Sequence, residues 1–426
     1  MFSTRKNNII VFTKILIFSD KFRVGMQIGQ NMIERIITPK IIEASKEFPV
    51  ITIVGPRQSG KTTLAKTVFQ KHTYISLEDY DVRELAKVDP RRFLIDYPSE
   101  FGLILDEIQH VPQLLSYIQT IVDREQKNGF YIITGSNNFL VSDAISQTLA
   151  GRIAIFTLLP LSIEELENAQ LLPEKIETLV YNGGYPKIYA HPVSIERLYK
   201  NYIQTYLERD VRQIKQVSDL LLFKKFINLC VGGVGQILNL TSLSNDCGVT
   251  QNTVKSWLSL LEASYIIFLL YPYYQNFGKR VIKSPKLYFV DIGLACNLLN
   301  IPSESALIDH YLRSNLIESF FISDLLKQQY NQDKKPTLYF WRDQTGNEID
   351  CIIDQEHPVS IEIKSGKTVN PDFFKPLAQW QQLTQNDPKF SYVMYGGSEN
   401  QQWPHAQVVN WKSAGALIEN IRKIEK

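Results

Sequence analysis

The octapeptide at residues 55–62 limits what this chain can fold into more than any other stretch. Gly55, Pro56, Arg57, Gln58, Ser59, Gly60, Lys61 and Thr62 satisfy G-x-x-x-x-G-K-[ST] at every fixed position. The β-branched run Val50–Val54 precedes them, and a helix-forming run from Thr63 to Phe69 follows. Strand, glycine loop and helix in that order make a phosphate cradle. The glycines let backbone N–H groups converge on phosphate oxygens, and the helix N-terminus adds positive potential. Lys61 is placed to reach the β- and γ-phosphates, and the Thr62 hydroxyl to join a Mg²⁺ shell. Residues 55–63 are the expected nucleotide contacts.

A chain of 426 residues exceeds one ordinary core, so several domains are expected. With 44% hydrophobic and 21% charged residues it has a soluble, globular composition. The formal net charge of +2 confines any nucleic-acid surface to a local patch. Cys230, Cys247, Cys296 and Cys351 form no C-x-x-C pair, which argues against a zinc site or a disulfide framework and suits a reducing cytosol. The apolar run from Ile9 to Phe18 is interrupted by Lys14 and has no small-residue cleavage site after it, so neither a membrane span nor a signal peptide is expected.

A second nucleotide signal follows the loop. Leu103-Ile104-Leu105-Asp106-Glu107 reads as a buried strand ending in two carboxylates. Asp106 is expected to hold Mg²⁺ and Glu107 to polarise or orient the attacking water as a general base. The strand at Phe130–Asn137 also has a polar end, where Ser136 and Asn137 are candidates to sense the γ-phosphate or orient water. Arg152, before the strand Ile153–Leu158, is a candidate to place charge on the transferring phosphoryl group, in cis or on a neighbouring subunit; a surface salt bridge is the alternative. Strands alternating with helices imply a parallel three-layer sheet, with nucleotide at the carboxyl ends of its strands.

With these residues in view, the chain resembles the prokaryotic AAA-type ATPases. The resemblance rests on the loop, Leu105-Asp106-Glu107, Ile133-Thr134-Gly135-Ser136, Leu149-Ala150-Gly151-Arg152 and Leu159-Pro160-Leu161-Ser162. More specifically it is similar to a large bacterial and archaeal family whose C-terminal region is uncharacterised. Gly183-Gly184-Tyr185-Pro186, Tyr206-Leu207-Glu208-Arg209-Asp210-Val211 and Phe340-Trp341-Arg342-Asp343 extend the likeness over nearly everything from Met32 onward. It implies an ATP-binding P-loop module, a helical lid in which Arg209 approaches the nucleotide or lies on a solvated face, and a tendency to oligomerise.

Further along, Thr241–Cys247 and Thr250–Leu261 have helix-turn-helix spacing, and strand-like runs at 265–270 and 286–290 follow. That order predicts a winged helix. Gln251, Asn252, Thr253, Lys255 and Ser256 are its candidate groove-facing residues, with Lys279, Arg280 and Lys283 in the wing. Residues 200–290 hold 11 Lys+Arg against 5 Asp+Glu, a local excess suited to phosphate binding. The last region carries Asp350, Glu362 and Lys364 in the D…E-x-K spacing of restriction-endonuclease-like folds. Side chains alternate along a strand, so Glu362 and Lys364 face one way, and a neighbouring strand can set Asp350 beside them. With Glu318 from the preceding helix, these make a candidate second metal site.

The expected architecture is therefore α/β: a P-loop NTPase parallel three-layer sheet, then a winged-helix region and an α/β restriction-endonuclease-like domain. Its divisions are an N-terminal extension (1–31), an ATP-binding domain (32–165), a helical lid (166–218), the winged-helix region (219–305) and the nuclease-like domain (306–426). The expected function is cytoplasmic, Mg²⁺-dependent ATP binding and hydrolysis coupled to DNA or a partner protein. The alternatives are an ATP-gated DNase and a nucleotide-switched module with a silent last domain.

Overall fold

Five short strands build the first layer, and their composition explains their burial. Val50–Val54 (β1), Thr73–Ser76 (β2), Leu103–Asp106 (β3), Tyr131–Gly135 (β4) and Ile153–Thr157 (β5) are rich in branched and aromatic residues. All their pairings are parallel, in the order β2-β3-β4-β1-β5. The computed structural model describes residues 33–97, 99–136, 148–207, 220–274 and 283–425. The 1–31 extension, Asn137, Glu208, Arg209, Asp210, Lys279 and Arg280 lie outside the described residues.

Helices cover both faces, as a parallel sheet requires. They are Thr38–Ala44 (α1), Lys61–Val68 (α2), Tyr80–Val88 (α3), Pro90–Asp96 (α4) and Leu114–Glu125 (α5). The period of two along a strand divides the core: Ile51 and Ile53 pack with Ile37, Ile41 and Leu64 on one face, while Val50 and Val54 join the opposite core. Among the described residues, the α-helices that follow the sheet are Ile163–Asn168 (α6), Ile176–Asn182 (α7), Pro186–Ala190 (α8), Ile195–Tyr202 (α9) and Leu220–Gly232 (α10).

Leu240–Cys247 (α11) and Gln251–Ala263 (α12) then form the expected helix pair, with Gly248 in the left-handed region at the turn (φ 74°). An antiparallel pair of strands, Ile267–Pro272 (β6) and Lys286–Phe289 (β7), completes that segment. Ile292–Leu298 (α13) and Glu304–Ile308 (α14) lead to the long helix Arg313–Asn331 (α15). The remaining strands are Leu338–Arg342 (β8), Glu348–Ile353 (β9), Val359–Lys364 (β10), Ser391–Tyr395 (β11), Gln401–Trp403 (β12) and Ala406–Asn410 (β13). Lys375–Thr384 (α16) and Leu417–Glu425 (α17) flank them.

The second sheet runs β12-β13-β11-β10-β9-β8-β6-β7 among the described residues. The expected division at 305/306 therefore does not separate two sheets. Tyr271 and Pro272 of β6 pair in parallel with Tyr339 and Phe340 of β8, so the hairpin after α12 is the edge of the C-terminal sheet. Helix α15 is buried almost all round, including Asp324, Lys327, Gln328, Gln329 and Asn331. It packs between this sheet and the segment that leaves β5. A single hydrophobic cluster runs from Val50 through Phe321 to Ile421 and so joins the two sheets.

At this junction Glu164 of α6 is half-buried beside Glu419, Asp324 and Glu165. Burial first, and then those carboxylates, push its carboxyl up to about 7. The folded chain thus holds this proton more tightly than the unfolded chain. The contribution to stability is fully present below the unfolded carboxyl's pKa and is lost as pH rises through about 7. Thermal melting across pH 5 to 8 is expected to show a fall in midpoint with rising pH that is shallower in Glu164→Gln. An unchanged slope in that variant would contradict the assignment.

Candidate nucleotide site

The parallel sheet brings the predicted nucleotide residues together because each strand ends at the same edge. Gly55 leaves β1 at φ 148°, and a Cβ there would lie 2.2 Å from the Leu158 carbonyl oxygen, so the position requires glycine. Gly60 caps α2 at φ 97°. The loop residues Pro56 and Ser59 are buried, and Thr63 is exposed on the first turn of α2. Arg57 forms an ion pair with Glu78 at 3.4 Å. Lys61, 4% exposed, donates to the carbonyls of Gly55 (3.0 Å) and Pro56 (2.8 Å) and so lies folded over the loop.

Asp106 closes the site from β3. Its carboxylate accepts from the hydroxyls of Thr62 (2.8 Å), Tyr74 (2.8 Å) and Thr134. The Thr62 contact joins the two residues predicted to hold Mg²⁺. A hydroxyl and a carboxylate oxygen side by side are hard donors of the kind Mg²⁺ takes, so the donor set fits that ion. Tyr74 and Thr134 escaped prediction. Thr134 stood in the quoted Ile133–Ser136 run, but only the strand pairing reveals which partner its hydroxyl meets. Tyr74 reaches Asp106 from the adjacent strand, and burial together with Asp106 raises its pKa. The ammonium of Lys66 sits 3.3 Å from the centre of its ring.

Glu107 adopts a left-handed backbone (φ 58°, ψ 51°), uncommon for a residue with a Cβ and a mark of local strain. Its carboxylate accepts from Ser136 Oγ at 2.9 Å and from Gln109, whose Nε2 also reaches Ser136 Oγ at 3.0 Å. Burial pushes this carboxyl up. Lys61 and Arg57, with the hydrogen bonds from Gln109 and Ser136, outweigh burial and hold it below the ordinary carboxylate range. Glu107 is thus an anion fixed in place, better suited to orienting water than to taking its proton early.

Arg152 needs correction. It precedes β5, whose residue Ile153 is level with Val50, so it lies at the amino edge of the sheet. Five residues of strand, about 15 Å, separate that edge from the loop. Arg152 instead forks onto Asp123 of α5. A role in cis is excluded by this geometry, because a strand's two ends cannot meet one phosphate.

The second predicted cluster also assembles, with a different character. Asp350 Oδ2 accepts from the Ile363 N–H at 2.8 Å and lies 3.8 Å from Lys364 Nζ, which pairs with Glu362 at 2.5 Å. Glu318 accepts from Tyr288 (2.6 Å) and Lys286 (3.0 Å), and Lys286 also pairs with Glu348. Burial and Asp350 push Glu318 up to about 7 and Glu362 well above its usual range. Among the described residues no three His, Cys, Asp or Glu side chains converge to hold a metal ion. Glu318, Asp350 and Glu362 are joined here by ion pairs, in which the ammonium groups of Lys286 and Lys364 lie among the carboxylates. Lys286, counted above in the basic excess, is buried here and adds nothing to the surface. Gln251, Asn252 and Lys255 of α12 are exposed, as is Lys283.

Comparison with known proteins agrees with the first sheet. Residues 47–167 match the family described as AAA domain. The chain carries an AAA-type P-loop ATPase domain. Behind this AAA domain, residues 173–305 and 313–414 match two domains of unknown function, DUF8612 and DUF4143. An uncharacterized protein of Mycobacterium tuberculosis is 28% identical over 336 residues, covering 77% of this chain and 73% of its own length. One from Methanocaldococcus jannaschii is 25% identical over 290 residues, with 59% and 64% covered. Among solved structures, the Walker-type ATPase PABY2304 of Pyrococcus abyssi matches 63% of this chain and 96% of its own at 16% identity, with a TM-score of 0.44. Among the described residues no helix is long and apolar enough to cross a membrane.

The close approach of Gly55 to Leu158 gives a direct check. Gly55→Ala is expected to destabilise the AAA domain by about 2 kcal/mol or more, since backbone must move. Chemical denaturation of the variant reads this, and unaltered stability would show that the loop is free to rearrange.

Proposed function

We propose that the protein is a cytoplasmic, Mg²⁺-dependent ATPase whose nucleotide state controls binding of DNA or a partner protein by its C-terminal half. The observation that carries the ATPase reading is the juxtaposition of Thr62 with Asp106 and of Ser136 with Glu107 at the mouth of the glycine loop. The loop N–H groups between Arg57 and Thr63 cradle the phosphates, and Lys61 moves from its two carbonyl partners to the β- and γ-phosphates. Thr62 and Asp106 hold Mg²⁺, which neutralises charge on the phosphates when bound. Glu107, held by Ser136 and Gln109, orients the water for in-line attack on the γ-phosphate. Arg152 stays available only to a neighbouring copy.

Two variants separate binding from chemistry. Lys61→Ala is expected to abolish nucleotide binding, measured by titration with a fluorescent ATP analogue. Glu107→Gln is expected to retain binding and to lose at least a hundredfold in turnover, as for a group that acts in the transition state. Unchanged turnover in that protein would remove Glu107 from the chemistry.

For the output, exposure of Gln251, Asn252 and Lys255 on one side of α12 supports a DNA-contacting helix. Glu318 is engaged by Lys286 and Tyr288, which supports a nucleotide-switched binding module with a silent nuclease-like domain over an ATP-gated DNase; Lys364 beside Glu362 fits either reading. Incubation with plasmid, Mg²⁺ or Mn²⁺ and ATP is expected to leave DNA intact, while filter binding persists and falls steeply with salt. Cleavage that disappears in Lys364→Ala would reverse the preference and make the cluster a nuclease centre.

A further inference from the structure

The phosphate loop is gripped from behind by Arg35, a residue that no sequence pattern marks. Its guanidinium, 6% exposed, has three destinations. Nη1 donates to the Ser59 carbonyl at 2.9 Å, Nη2 to the Leu159 carbonyl at 2.7 Å, and Nε to Glu165 Oε1 at 2.8 Å. Glu165, also buried, accepts in addition from the N–H groups of Ile36 (3.1 Å) and Ser162 (3.0 Å). The fork thus ties the loop to the segment leaving β5 and to the first turn of α6.

Helix α15 holds the other side of that segment. Asp324 accepts from the Ile163 N–H at 2.8 Å, Lys327 donates to the Leu161 carbonyl at 3.2 Å, and Asn331 donates to Ser162 Oγ at 3.4 Å. Every side chain named between Ser59 and Asn331 is buried. Glu318 stands six residues before Asp324 on the same helix, about 9 Å along its axis.

We infer that Arg35 is a positioning residue that carries the state of the phosphate loop, through Glu165 and residues 161–165, to α15 and the acidic cluster that Glu318 joins. The inference rests on the nucleotide-binding reading above. Phosphate draws the N–H groups of the loop toward it and turns the peptide units that carry them, Ser59 among them. Arg35 is planar and its donors are fixed in a fork, so its bonds to the loop, to Leu159 and to Glu165 move together. The alternative, leaving Glu165 or Asp324 buried without a partner, is more costly than shifting the segment. Two sites biasing one packed element in this way meet the definition of energetic coupling.

Hydrogen exchange of the full chain tests this, with and without a non-hydrolysable ATP analogue and Mg²⁺. In the wild-type protein, nucleotide is expected to change exchange over residues 313–331 by roughly fivefold or more, beside protection of the loop itself. Arg35→Lys keeps the charge but cannot bridge three acceptors in one plane. It is expected to bind the analogue and protect the loop while losing the change at 313–331. Asp324→Asn, altered at the far end, is expected to weaken the same change. Persistence of the full effect in Arg35→Lys overturns the inference. So does a wild-type protein that binds nucleotide with no change at 313–331, which decides the matter even if a variant does not fold. Absence of binding by the wild-type protein in a fluorescent-analogue titration overturns the underlying reading as well, and the titration tells the two failures apart.

Discussion

A buried polar group without a partner is costly, and helix α15 meets that cost at five positions by drawing partners from other segments. A helix enclosed on every side would ordinarily be apolar all round. This one carries Asp324, Lys327, Gln328, Gln329 and Asn331 into the interior, and each is met by a polar group from another segment or from the helix itself. Gln328 alone reaches the Ala414 carbonyl and accepts from the Ile418 N–H, which fixes the C-terminal helix as well. These bonds set orientation more than stability. An apolar seam could slide by a turn at little cost, whereas this one has a single register in which its donors and acceptors match.

The nucleotide site shows the same economy of partners. Asp106 receives three hydroxyls, from a helix and two neighbouring strands, so its carboxylate is held at the sheet edge from several directions. Glu107, one residue on, is turned away by its left-handed backbone and secured by Ser136 and Gln109 instead. Adjacent acidic residues thereby acquire separate duties. The backbone turn accounts for this, since successive residues on a regular strand would face opposite sides of the sheet.

Much of this was legible in the chain. The glycine loop, the strand ending at Asp106 and the strand before Ser136 follow from local pattern, because a parallel sheet must gather strand ends at one edge. The helix pair 240–263 and the strands bearing Asp350, Glu362 and Lys364 follow for the same local reason. Tyr74, Arg35 and Lys286 were not legible, since each acquires its role from a partner at least 24 residues away that periodicity does not reveal. Arg152 was readable too: a residue preceding a parallel strand belongs at the amino edge, where the surface salt bridge given as its alternative role is found. The join of β6 to β8 was hidden because strand order within a sheet is not written in the strands themselves.

That join has a consequence for how the chain is made. Synthesis proceeds from the N-terminus, and the AAA domain with its following helices is complete long before residue 338 leaves the ribosome. Until then β6 has an open edge, and the groups at Leu161, Ser162 and Ile163 that α15 later satisfies remain turned to water. The two halves must wait for each other, through contacts that span more than 160 residues in sequence. A nascent chain held at that stage is a natural client for chaperones, and shortened genes that end before α15 would yield an AAA domain with a sticky, unfinished back.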